Sequence, residues 1–102
     1  MNETQRRQLY VHLGCDTASA VTFANGKPAA FEQAFGLQAK ADRVVGYYEK
    51  HRIFCTTQKE MITRIKNEWT AGLGPIASWL MWMAIKTLVT QVVRWLWSRY
   101  TP

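Results

Sequence analysis

The sequence predicts a mostly α-helical protein: an N-terminal irregular segment, two amphipathic helices over about 28–52 and 57–70, and a long hydrophobic C-terminal helix over about 75–99. Three observations carry this. After Gly74-Pro75, no Gly, Pro, Asp or Glu occurs before Trp97. That stretch, at about 1.5 Å per residue, is long enough to cross a hydrocarbon layer of about 30 Å. Two upstream stretches repeat apolar residues at helical spacing. Turn signals at Asn25-Gly26 and Ala71-Gly-Leu-Gly74 punctuate them. The chain therefore divides into a small helical extramembrane region, 1–73, and a membrane-anchoring helix with its tail, 74–102.

Met1 to Arg7 is polar and reads as extended chain or a short helical turn. Gln8 to Leu13 (QLYVHL) reads as a brief strand or an irregular segment leading to Gly14. Val21 and Phe23 alternate in strand fashion before Asn25-Gly26, so a hairpin is one option there. Pro28 cannot donate to a ladder, and the residues after it read as helix.

Over 28–52 the apolar residues Phe31, Phe35, Ala41, Val45 and Tyr48 form one stripe, with Ala34 and Val44 beside them. Lys40, Asp42, Arg43, Glu49 and Lys50 occupy the other side. Gly36 and Gly46 lower helix stability by up to ~1 kcal/mol each, and admit a close backbone or a kink. Ile53 to Thr56 is a short link. Thr57-Gln-Lys-Glu60 then fits a capping box, in which each end satisfies an N–H of the other. The following helix turns Met61, Ile62, Ile65 and Trp69 to one face and Lys59, Arg64, Lys66, Asn67 and Glu68 outward.

The last helix is apolar all round in its first half. In its second half Lys86, Thr90 and Arg94 recur every four residues, with Thr87, Gln91 and Ser98 on the same side. Trp79 and Trp82 sit near one end and Trp95, Trp97 and Tyr100 near the other, where indole rings would anchor at lipid–water boundaries. A charge such as Lys86 near mid-span costs at least ~3 kcal/mol unless it is paired or hydrated. The stripe therefore predicts company. Lys86, Thr90, Arg94, Trp79, Trp82, Trp95, Trp97 and Arg99 are the residues expected to meet partner or lipid. A helix lying in the interface, or one buried in a soluble assembly, are the competing placements.

Composition fits one small domain. The chain has 102 residues, 48% of them hydrophobic, and a net charge of +6. Its mean hydropathy of -0.21 shows that the apolar residues are concentrated rather than spread. A basic balance suits nucleic acid, anionic lipid or an acidic partner. Upstream of Gly74 the cations are interleaved with acids, and at the C-terminus Arg94, Trp95, Trp97, Arg99 and Tyr100 are better matched to lipid phosphates. Anionic phospholipids and other subunits are thus the expected partners, and nucleic acid is not. Two distant cysteines make no disulfide framework, and no secretory leader is expected. Lys59, Arg64 and Lys66 before the span weakly place the N-terminal body on a cytoplasmic or matrix-like side.

One chemical pattern uses every histidine and cysteine. His12 and Cys15 form one pair, and His51 and Cys55 another, at spacings that zinc sites use. They are the candidate metal ligands; the competing reading is a partly buried His and a small apolar Cys in each place. His51 and Cys55 as a nucleophilic pair lack an orienting group. No phosphate loop, paired-carboxylate signature or HExxH occurs. The expectation is a protein that is not an enzyme and has no cofactor or small-molecule substrate. The favoured reading is an accessory subunit of a larger membrane complex, such as a mitochondrial respiratory or ATP-synthase complex of the inner membrane. The alternatives are a viral or phage pore-forming, holin-like homo-oligomer, and a soluble module that binds a partner through its last helix.

Overall fold

A computed structural model describes residues 2–14 and 36–100. Among the described residues it contains four α-helices: α1 (Glu3–His12), α2 (Leu37–His51), α3 (Gln58–Trp69) and α4 (Pro75–Tyr100), with a 3-10 turn at Arg52–Phe54. The chain separates into two units, Met1–Asp42 and Arg43–Pro102. The mostly α prediction holds, and so does the long apolar C-terminal helix.

In the first unit, α1 takes the place of the extended chain or short helical turn expected up to Arg7 and of the brief strand or irregular segment expected from Gln8 to Leu13. The reason is a complete capping box. Asn2 Oδ1 accepts from the Gln5 N–H and Gln5 Oε1 accepts from the Asn2 N–H, both at 2.9 Å. Two of the otherwise orphaned N–H groups at the helix start are thereby satisfied. Glu3 in the first turn and His12 in the last also suit the helix dipole. Gly14, at φ +91°, ends the helix in the left-handed region that favours glycine. Leu9 and Tyr10 are fully buried. Arg6 and Tyr10, one turn apart, both donate to Asp42 Oδ1, the tyrosine at 3.2 Å. Burial, and then the charge of Asp42, hold the Tyr10 phenol well above its ordinary value.

Helix α2 begins after Gly36, whose carbonyl accepts the Lys40 N–H. The expected earlier start, with Phe31, Ala34 and Phe35, lies outside the described residues, as do the possible hairpin at Asn25-Gly26 and Cys15. Within α2 the predicted stripe is buried: Ala41 in the first unit, Val44, Val45 and Tyr48 in the second. Gly46 is exposed, and a Cβ built there would meet nothing within 4 Å. It therefore marks no close backbone approach among the described residues.

In the second unit, the Thr57 hydroxyl caps α3 by accepting the Glu60 N–H at 3.2 Å. The Glu60 carboxylate reaches back one residue further than a standard capping box, to the N–H and hydroxyl of Thr56. Met61, Ile65 and Trp69 are buried at i, i+4 and i+8, while Ile62 is half-buried. The turn after α3 uses Gly72 at φ +82°. There the Thr70 carbonyl accepts the Leu73 N–H at 3.1 Å. Helices α3 and α4 then pack against each other as a hairpin.

Candidate membrane and partner interface

Helix α4 starts where the backbone chemistry allows it. Gly74 precedes Pro75, whose missing N–H costs nothing in the first turn. The Gly74 carbonyl accepts the Ser78 N–H at 2.8 Å, and the Ser78 hydroxyl donates to the Leu73 carbonyl at 3.2 Å. The helix runs 26 residues, and its most apolar stretch has a mean hydropathy of 1.4. It is the one helix among the described residues long and apolar enough to cross a membrane.

Its two halves differ in what they show to solvent. In the first half Ile76 is 77% exposed, Trp79 61%, Leu80 56% and Met83 56%. In the second half Ile85, Val89, Val92, Val93 and Leu96 are buried, along the i, i+4, i+7, i+8 rows of one face. Lys86, Thr87, Gln91, Arg94 and Ser98 are exposed on the other side, and Thr90 is half-buried. The amphipathic stripe read from the sequence is therefore present. Among the described residues neither Lys86 nor Arg94 has an acidic partner.

The tryptophans divide in the same way. Trp79 is exposed. Trp82 is half-buried with the Lys66 ammonium 5.4 Å from its ring centroid. Trp95, expected to belong to a second lipid-facing belt, is buried instead. The Arg99 guanidinium lies 4.7 Å from its ring, and Tyr100 meets it edge-on at 5.9 Å. Trp97 is half-buried. One belt is thus open to a lipid phase, and the other is largely spent on packing.

Two basic residues of α3, and Arg43 of α2, lie against aromatic rings. Besides Lys66 on Trp82, Arg64 lies 5.3 Å from the Phe54 ring. Arg43 lies 4.4 Å from Trp69 and 5.5 Å from Tyr47, and donates to the Tyr47 hydroxyl at 2.9 Å. Such contacts hold long cations in place without an acid. None was read from the sequence; the i, i+4 spacing of Arg43 and Tyr47 was the available signal.

A polar cleft of about 290 Å³ opens beside α3, lined by His51, Arg64, Asn67, Glu68 and Ala71. His51 is buried, with Nε2 3.2 Å from Glu68 Oε1 at an angle that completes no hydrogen bond. Lys50 lies 3.6 Å from the same carboxylate oxygen. Cys55 is also buried, and burial pushes its thiol up. These two residues match the buried His and Cys alternative. Of the other proposed ligands, His12 lies on α1 in the first unit and Cys15 lies outside the described residues. Among the described residues no group of three or more His, Cys, Asp or Glu is gathered for a metal ion.

Comparison with protein-family models, with curated proteins and with solved structures finds no match to this chain.

Proposed function

We propose that the protein is a non-catalytic accessory subunit of a larger membrane complex, with α4 as its membrane element. The observation that carries this is the division of α4 into an exposed apolar half and a half whose cationic stripe has no acidic partner among the described residues. The first half presents side chains that water solvates poorly. The second presents Lys86 and Arg94 to any neighbour that supplies acids or lipid phosphates. The rest of the chain supports a docking role. Several of its charged groups, among them Arg6, Asp42, Arg43, Lys50 and Glu68, are engaged in ring contacts and local ion pairs. A respiratory or ATP-synthase complex of the mitochondrial inner membrane, with the N-terminal body on the matrix side, is the setting to test first. Small basic helical chains serve there, which is an analogy of class.

The experiment is extraction of native membranes followed by copurification. Alkaline carbonate should leave the protein in the pellet, and a mild detergent should release it with the same partners in every preparation. Release by carbonate, or recovery of the protein alone, would defeat the proposal.

A further inference from the structure

The α3–α4 hairpin ends in a tip with no charged residue from Trp69 to Ile85. On it Ile76, Trp79, Leu80 and Met83 are exposed at i, i+3, i+4 and i+7, one continuous apolar face. The chemistry changes at the same level on both helices. On α3 that level is Lys66, set over Trp82. On α4 it lies between Trp82 and Lys86. Lys59 and Arg64 continue the basic side of α3 away from the tip; of the two acids on that helix, Glu68 lies 3.6 Å from the Lys50 ammonium and Glu60 is bonded to Thr56.

Length agrees with this. From Pro75, Trp82 lies about 10 Å along the helix and Lys86 about 16 Å. One hydrocarbon leaflet is about 15 Å deep, half of the bilayer core. Beyond Lys86 the aliphatic side chains Val89, Val92, Val93 and Leu96 are buried and Leu88 is half-buried, so the apolar surface that α4 offers lipid is concentrated in its first half. The polar backbone of the tip is partly self-satisfied. The Leu73 and Gly74 carbonyls accept from Ser78, and the Lys66 carbonyl accepts the Thr70 hydroxyl at 2.7 Å. Such bonding is what an apolar phase demands of a chain end.

We infer that this tip is a one-sided wedge: residues 71–84 enter a single leaflet of an anionic bilayer, Lys66 and Trp82 ride at the phosphate plane, and Lys86 onward stays outside. The occupant is phospholipid with acidic headgroups, matched by the +6 charge of the chain and by the cations that border the tip. The inference rests on the membrane reading above and narrows it. The helix that is long enough to cross enters from one side and stops.

The test uses the full chain in a Cys15→Ser, Cys55→Ala background, with an environment-sensitive fluorophore on Leu80→Cys or on Gln91→Cys. Each is mixed with phosphatidylcholine vesicles with or without phosphatidylglycerol. The Leu80 label should shift to the blue and be quenched by nitroxide lipids. The Gln91 label should stay quenchable by aqueous iodide. Because the Cys55 substitution touches a buried site, flotation of the otherwise unaltered chain is the second measurement. Leu80→Glu and Lys66→Glu should each weaken capture by anionic vesicles by about tenfold or more. If both labels enter lipid, α4 crosses the bilayer; the wedge is overturned and the membrane reading stands. Equal capture by neutral vesicles overturns the acidic-headgroup assignment. If neither label enters and nothing floats, both readings fail and the tip is covered by protein.

Discussion

The two glycines Gly46 and Gly72 should respond to the same substitution with opposite signs. Neither is crowded: a Cβ at either position meets nothing within 4 Å. Only backbone conformation separates them. Gly46 sits inside α2 with no positive φ, so alanine removes the entropy that glycine loses on folding, a gain of about 0.5–1 kcal/mol. Gly72 holds φ +82°, where an L side chain meets its own carbonyl. Alanine there should cost about 1–2 kcal/mol. For a domain of this size, Gly46→Ala should raise the melting temperature by about 2–6 °C and Gly72→Ala lower it by about 5–10 °C. Far-UV circular dichroism of both variants in one mild detergent measures this. Shifts of the same sign would refute the reasoning. A fall for Gly46→Ala would place another backbone against α2, which none of the described residues supplies.

Three further outcomes are expected. Asp42→Ala should destabilise the protein by about 1–2 kcal/mol in denaturant titrations, because Arg6 and Tyr10 share its carboxylate. The ion-pair share is small, since both partners are about a third exposed. Asp42→Asn, which keeps an acceptor, should lose less. The raised Tyr10 phenol gives an alkaline limit. The unfolded tyrosine releases its proton near pH 10 while the folded one keeps it, so the stabilisation is complete below about pH 10 and is lost as pH rises further. Tyr10→Phe should flatten that alkaline limb, and an unchanged limb would remove Tyr10 as its cause. Cys55, buried and with its thiol pushed up, should react with an aromatic disulfide reagent far more slowly in the folded protein than in denaturant at neutral pH. Equal rates would show that the site is open.

Where one physical signal dominated, the sequence could be read. The Met61, Ile65, Trp69 face and the Ala41, Val44, Val45, Tyr48 face are plain 3.6-residue periodicity, and both are buried. The Thr57 cap is a local motif and formed locally. The polar stripe of α4 was legible for the same reason. The misses are of two kinds. The α1 helix depends on Asn2 and Gln5 exchanging hydrogen bonds, and QLYVHL alone has a β-leaning composition that concealed it. Trp95 was read as an interface anchor because indole chemistry suits both a membrane boundary and a packed core. Its contacts with Arg99, set over the ring, and with Tyr100, which meets it edge-on, are three-dimensional facts. The Asp42 hub joins residues distant in sequence, and no periodicity encodes it.

What α4 does at a membrane turns on a comparison that its two halves make possible. The buried aliphatics Ile85, Val89, Val92, Val93 and Leu96 each owe about 1.5–3 kcal/mol to burial. Moving them from the fold into lipid gains little, because hydrocarbon tails are no more apolar than a protein core. The same move would carry Lys86 and Arg94 toward the bilayer centre, at about 2.5–3.5 kcal/mol for each cation placed there. The exposed residues Ile76, Trp79, Leu80 and Met83 face the opposite situation, since they leave water on entering lipid and bring no charge with them. For the isolated chain, partial insertion is therefore expected, on the wedge proposal, to outcompete crossing. On that proposal crossing would become favourable only where a neighbour supplies carboxylates opposite Lys86 and Arg94, or a water-filled cavity. A partner subunit bearing such acids would thus both bind this protein and determine how deeply it sits.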